Sequence, residues 1–387
     1  MTARRSMHLG YSEETLMHRR IPVIGTALVA LAVMAGPAAA QDPSSAPAGG
    51  SGQPIVIPEQ YVSPEAQTAD TPVDTSAFAN EGPWKLCVSA GYLTNSWVVF
   101  ALQNIRYQAS LEPRYEPDIV VTDANFDPNK QIGDIADLIN QGCEAILYWP
   151  IDDTAIEPGL EQAVTAGIPT VNVGGGYTDL PGIVSNAYID QYELGVAGAL
   201  KLVEALGGQG TIVSMLPIAG TTAAVDQDKA LRDVLAANPG VELLDTQNGD
   251  WNRAKAKELT ETWLQRYPTI DGVFSPAGQM SAGVAEAFDE AGRLGDVVFS
   301  PGDEYNGWLK WIAAHPESNG GLVTFPPAAG AVGVEQMTRI LSGEEVTKGI
   351  HVPSVWYAPE EAAALADAEA PDDWWANELP AEFLPQS

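Results

Sequence analysis

The chain has 387 residues, with 19 basic against 51 acidic side chains and a formal net charge of −32 at pH 7. Such a surface repels nucleic acid and anionic lipid, so neither is an expected partner. No H-E-x-x-H, G-x-S-x-G, P-loop or strand-borne G-x-G-x-x-G occurs, so no cofactor, no metal and no catalytic group are expected.

The N-terminus reads as an export signal. Met17-His18-Arg19-Arg20 is basic, 21–33 is an apolar run of 13 residues, and Ala38-Ala39-Ala40 is a small-residue cleavage site. The run is too short for a stable membrane span. Glu13 and Glu14 fit an n-region badly, which favours Met17 as the true start. Loss of 1–40 removes four basic and two acidic residues, leaving 15 and 49, a net charge near −34. Only His315 and His351 remain. Residues 41–83 are rich in Pro, Ser, Ala, Gly and Gln and are expected to form a disordered tether.

The folded body begins at about residue 84. Residues 85–108 read as a strand, a polar turn and a helix, the first βα unit of an α/β domain. The turn holds Tyr92, Asn95 and Trp97 at the carboxyl end of a strand, where open α/β sheets bind ligands. Alternation continues with a strand at 118–122, a helix after the Asp127-Pro128 start signal, a strand at 145–149, a helix at 154–166 and a strand at 168–173. It restarts with helices at 191–206, 221–237, 252–266 and 279–291 between strands at 210–216, 241–246 and 272–275. Segments 296–300, 305–315, 322–325, 329–341 and 352–356 complete it. Such alternation means parallel sheets with right-handed crossovers, here in two similar lobes.

Cys87 lies in the first strand and Cys143 just before the third, neighbours in a 2-1-3 strand order. An exported chain permits one disulfide between them; two buried thiols are the alternative.

At this point the chain resembles the type 1 periplasmic binding proteins, ribose-binding-like. The resemblance covers roughly 84–357 and rests on ordered strings: Asn95-Ser96-Trp97, 127–142, Ala166-Gly167-Ile168-Pro169, 218–224, Gly249-Asp250-Trp251 and 343–346. It implies an α/β fold of two doubly wound parallel-sheet lobes joined by a three-crossover hinge. One lobe would be 84–188 plus 326–351, the other 189–325 plus 352–358. It also implies a monomeric solute-binding protein of an ABC importer, closing on a sugar or polyol and recognised by a membrane permease. A sensory receptor subunit is a second reading, and an exported hydrolase using Asp226 and Asp303 a third.

By the same resemblance Asn95, Trp97, Trp149 and Trp251 fall at ligand-contacting positions; core packing, or a hydrophobic staple for Trp251, is the structural alternative. Where the ribose-like proteins carry an Asp-Arg pair, this chain has Gly174-Gly175, and their second Arg aligns with Val225. A cleft roomier near the glycines and more aromatic is expected, its polar contacts coming from Asn95, Asn172, Asp226, Gln279 and Asp303, with Tyr92 and Gly174 also in the wall. Three Trp residues with Asp226 and Asp303 would equally form an aromatic cage for a quaternary ammonium compound. The acidic tail 359–387 contains Trp374-Trp375, expected to pack on a lobe, either as a clasp across the back or as a docking element for a permease.

Overall fold

The computed structural model describes residues 53–54, 57–61, 68–376 and 379–385. The expected export signal, and the expected tether as far as residue 52, lie outside the described residues.

The tether expectation fails over its second half. Strand β1 (Gln53–Pro54) and strand β2 (Pro72–Val73) pair with strands from the far end of the chain. Tyr61, Ala69 and Thr75 are buried, and Thr75 donates to the Glu344 carbonyl at 2.5 Å. Low-complexity composition hid these few anchoring side chains.

The first sheet is built from β3 (Leu86–Ala90), β4 (Val120–Asp123), β5 (Ala145–Trp149), β6 (Thr170–Val173) and β7 (Ser185–Tyr188). Between them run α1 (Ser96–Ser110), α2 (Pro128–Asn140) and α3 (Asp153–Thr165). Strands β3, β5, β6 and β7 are buried at every residue, as a parallel sheet covered on both faces requires. The second half repeats the pattern with α4 (Gln191–Ala205), β8 (Gly210–Leu216), α5 (Thr222–Ala237), β9 (Val241–Asn248), α6 (Arg253–Arg266), β10 (Gly272–Phe274), α7 (Gly278–Glu290), β11 (Val298–Phe299) and α8 (Asn306–Ala314). Then come β12 (Leu322–Val323), α9 (Ala329–Leu341), β13 (Val346–Thr347), β14 (Gly349–His351), β15 (Val355–Tyr357) and α10 (Pro359–Ala363).

The first sheet has the order β14-β7-β6-β5-β3-β4 and the second β11-β10-β8-β9, all pairs parallel. An antiparallel trio β1-β15-β12 flanks them. The chain passes between the two halves three times: after β7, after β12 and after β14. These passages are laced together, Val352 N–H donating to the Tyr188 carbonyl at 2.8 Å and Thr324 N–H to the Val355 carbonyl at 2.9 Å. Short, bonded crossovers confine flexing to a few backbone torsions, the requirement for a hinge.

Cys87 and Cys143 form a disulfide with Cα atoms 5.9 Å apart. The β3–β5 register, Cys87 beside Ile146, brings them together.

Helix starts repeat one device. Asn95, Asp127, Asp152, Asp190, Thr221 and Asn252 each accept a backbone N–H with the side chain at the start of α1 to α6, satisfying donors that the helix leaves unpaired. Helices α7 and α8 have no such cap, since their cap positions are Ala277 and Tyr305. Their free N–H groups are met from elsewhere, that of α7 by Asp303, which lines the cavity described next.

Candidate ligand-binding site

The loops at the carboxyl ends of both sheets line one cavity of about 80 Å³. Of the expected site residues, Tyr92, Asn95, Trp97, Trp149, Gly174, Trp251, Gln279 and Asp303 line it.

Its aromatic walls are held from behind. Trp97 sits on the first turn of α1 and donates its indole N–H to the Phe325 carbonyl at 2.9 Å, which ties it to the second crossover. Trp149, at the end of β5, donates to the Tyr92 carbonyl at 2.9 Å. Tyr92 stacks on Phe126 with ring centroids 4.8 Å apart and, across to the second half, on Trp251 at 5.6 Å. Trp251 is therefore a wall facing the first half, not a staple over α6. Its φ is 51° and that of Asp250 is 55°, a left-handed conformation that costs a bulky residue about 1–2 kcal/mol. The surrounding structure holds Trp251 there with its ring towards the first half.

The expectation of extra room beside the glycines is corrected. A Cβ on Gly174, whose φ is 69°, would collide with the Trp97 ring. The indole fills the space that a larger side chain would occupy. Gly175 is pressed in the same way, since its Cβ would lie 2.9 Å from the Asn172 amide oxygen.

Two expected residues do not line the cavity. Asn172 is fully buried behind it, donating to the Gly176 carbonyl at 3.0 Å and to Asn186 Oδ1 at 3.2 Å; it shapes the glycine turn from the β6 side. Asp226 lies behind Gly176, with Oδ2 3.8 Å from the position of a Gly176 Cβ. Its neighbour Gln227 lines the cavity instead. The buried face of α5 runs through Ala224, Gln227, Ala230, Leu231 and Val234, so helical spacing selects Gln227 and turns Asp226 aside. Asn95 is mainly a cap: its Oδ1 accepts from Val98 N–H at 3.1 Å, which leaves its amide N–H₂ as the group for a ligand.

Sequence reasoning missed Asp153, Gln191, Gln227, Phe325 and Trp375, all cavity-lining. Gln227 donates to Gln191 Oε1 at 2.9 Å. The Oε1 atoms of Gln227 and Gln279 are buried without a protein partner, so each is an acceptor available to a ligand hydroxyl or N–H. Gln279 Nε2 reaches Ser96 Oγ at 3.2 Å, and Trp375 Nε1 reaches the same oxygen at 2.8 Å. Ser96 thus joins α1, α7 and the C-terminal tail at one atom.

Among the described residues the cavity is lined by two carboxyls and by no Lys, Arg or His. Burial lifts Asp153 to about 7, helped by the charge of Asp152. Burial also lifts Asp303 to about 7, against the pull of N–H bonds from Gly278 at 2.9 Å and Tyr305 at 3.3 Å. The Gly278 bond is the missing cap of α7. Behind the wall, burial lifts Glu304 to about 8 although its Oε2 accepts Phe325 N–H at 2.6 Å. Phe325 in turn carries the carbonyl that holds Trp97.

Two parallel sheets, three laced crossovers and one aromatic cavity at the strands' carboxyl ends define a two-lobe α/β binding protein. The chain belongs to the periplasmic binding protein domain family, whose sequence model matches residues 86–345. The ribose import binding protein of Bacillus subtilis is 25% identical over 278 residues, 72% of this chain and 88% of that one. A xylitol-binding protein of Mycolicibacterium smegmatis is 30% identical over 179 residues, 46% of this chain and 51% of that one; this match spans about half the relative's length. An ABC transporter solute-binding protein from Bacillus halodurans, solved with bound myo-inositol, superposes with a TM-score of 0.66 at 20% identity, covering 74% of this chain and 98% of that one. The family is one of binding proteins. Among the described residues no helix is long and apolar enough to cross a membrane.

Proposed function

We propose that the chain is an exported, non-enzymatic and monomeric solute-binding protein of an ABC importer, which closes its two lobes, 84–188 plus 326–351 and 189–325 plus 352–358, on a neutral polyol or small sugar. The carrying observation is the lining of the cavity: aromatic faces with buried amides and carboxyls and no cationic side chain. Aromatic faces suit the C–H surface of a sugar or polyol, while amides and carboxyls bond its hydroxyls. The names of the relatives, ribose-binding and xylitol-binding, support the same class. Ligand contacts from both halves favour the closed form, and a membrane permease reads that form.

A second reading follows from Asp153 and Asp303. Two buried carboxyls among Trp97, Trp149 and Trp251 also make a cage for a quaternary ammonium compound. A thermal-shift screen over pentoses, hexoses, polyols including xylitol and myo-inositol, oligosaccharides and quaternary amines separates the two. Stabilisation by polyols or sugars is expected; stabilisation by ammonium compounds alone overturns the first reading.

A further inference from the structure

The C-terminal tail beyond α10 lies outside the stretch matched by the family model, which ends at residue 345. It does not run across the back. It docks on the second lobe, passes the cavity at Trp375 and continues to Phe383, whose ring meets Tyr107 of α1 edge-on at 5.2 Å.

The docking is built in detail. Helix α8 has no side-chain cap because Tyr305 occupies the cap position. The tail supplies what is missing: Asn306 N–H donates to the Trp374 carbonyl at 2.9 Å and Gly307 N–H to the Asp372 carbonyl at 2.8 Å. Asn306, only 2% exposed, donates its side-chain amide to the Asp367 and Pro371 carbonyls, both at 2.9 Å, and accepts Asp367 N–H at 2.9 Å. Asp372 pairs with Arg253 at 2.6 Å and Lys310 at 3.2 Å. A Cβ at Gly307 would lie 2.5 Å from the Tyr305 ring and 3.2 Å from the Asp372 Cβ, so the glycine eases this approach. Three kinds of bond therefore fix the tail on α6 and α8.

From that base two tryptophans reach the first lobe. Trp374 meets Phe100 of α1 edge-on at 5.1 Å. Trp375, 2% exposed, donates to Ser96 Oγ and lines the cavity. A surface clasp has no use for a buried indole at the ligand cavity.

Resting on the binding role proposed above, we infer that the C-terminal tail is a third wall of the cleft: Trp375 contacts the bound solute, and through Ser96 it ties the two lobes together. The solute it fits is a small neutral polyhydroxylated molecule that presents a C–H face to the indole. Because the tail spans both lobes, the cleft is complete only while the tail is docked.

The test uses the full chain with xylitol, myo-inositol and D-ribose as probes, read by calorimetric titration. Trp375→Ala is expected to weaken the bound probe about tenfold, and Trp375→Phe to recover part of the loss. Trp374→Ala, which removes docking contacts and part of the neighbouring groove but no wall of the cavity that Trp375 lines, is expected to lower Tm while holding Kd within about threefold. Equal losses of Tm with unchanged Kd in both Ala variants would make the tail a structural clasp and overturn the inference. A second arm needs no ligand. Spin labels at Leu111→Cys and Glu261→Cys, exposed just after α1 and on α6, report the separation of the lobes. Removal of residues 365–387 is expected to broaden and lengthen that distance. If none of the probes binds the wild type, the polyol reading fails, and the distance alone then decides: an unchanged distribution overturns the tail inference, a broadened one upholds it.

Discussion

Gly174→Ala probes the packing of the cleft wall. The new methyl group would meet two obstacles. At φ 69° an L-residue costs about 1–2 kcal/mol. The Cβ would also overlap the Trp97 ring, and overpacking of this kind costs about 1–3 kcal/mol. Together the loss is about 2–5 kcal/mol. With roughly 320 described residues and an unfolding entropy near ~2.1 cal/mol/K per residue, Tm should fall by about 3–7 °C. The displaced indole would also lose its bond to the Phe325 carbonyl, now 2.9 Å, so probe binding should weaken with stability. Trp97→Ala alone should cost about 3–5 kcal/mol as a large-to-small core change. In the double variant the overlap is gone and only the backbone cost of the Gly174→Ala change remains. A double-mutant cycle measured by urea unfolding should therefore show a favourable coupling of about 1–3 kcal/mol. Strict additivity, or a Gly174→Ala variant as stable as the wild type, would refute the claim that the indole occupies the glycine's space.

Three further outcomes are expected. Trp251→Ala should abolish the ligand-induced thermal shift while the unliganded protein keeps its cooperative melt, because the residue is a partly exposed wall; an unfolded variant in circular dichroism would count against that role. Replacing Cys87 and Cys143 by Ser opens a link between residues 56 apart in sequence, which on the loop-entropy account costs about 4 kcal/mol; urea midpoints check it, and no change would mean that the reduced chain is equally constrained. The pH profile follows from Asp153 and Asp303 at about 7 and Glu304 at about 8. Their folded values lie above the unfolded ones, so the native state holds more protons than the unfolded state between about 4 and 8, and stability falls as pH rises through that window. Urea melts at pH 5 and pH 8 should show this decline in the ligand-free protein, and Asp303→Asn should flatten it; a profile rising towards pH 8 would overturn the assignment.

Much of the architecture was legible because it is written in local signals. Asp127-Pro128 opens α2 through a cap that any reader of helix starts can find. Tyr92 and Trp97 were legible from the turn after the first strand, where open sheets place their ligands, whereas Trp149 and Trp251 were reached through the family resemblance; all four line the cavity. What failed needed knowledge of side-chain direction or distant contact. Asn172 alternates into the layer behind the cavity. Asp226 sits one residue off the buried stripe of α5, a distinction that helical phase alone could have drawn in favour of Gln227. The space beside Gly174 is filled by Trp97, 77 positions earlier in sequence, and no local pattern carries that contact. Trp375 reaches Ser96 across 279 residues. Its tail looks like surface by composition, because the signal for docking lies in an uncapped α8 and not in the tail.

The donor and acceptor balance of the cavity bears on which solutes the proposed role allows. The unpaired oxygens of Gln227 and Gln279 are acceptors, as are Asp153 and Asp303 in their ionised forms, and among the described residues that line the cavity there is no guanidinium or ammonium. A buried acceptor left alone costs about 1–3 kcal/mol, so the favoured solute brings several hydroxyl or N–H donors and no negative charge. A sugar acid or a phosphorylated sugar would instead set a carboxylate or phosphate against Asp153 and Asp303 in a desolvated space, with no cation to offset it. The whole chain, at net charge −32, repels such an anion before it arrives. A neutral polyol meets neither barrier. Losing the fork-shaped arginine grip is then no defect of the cleft, because paired N–H donors serve solutes that offer acceptors, and this cavity is built to receive donors.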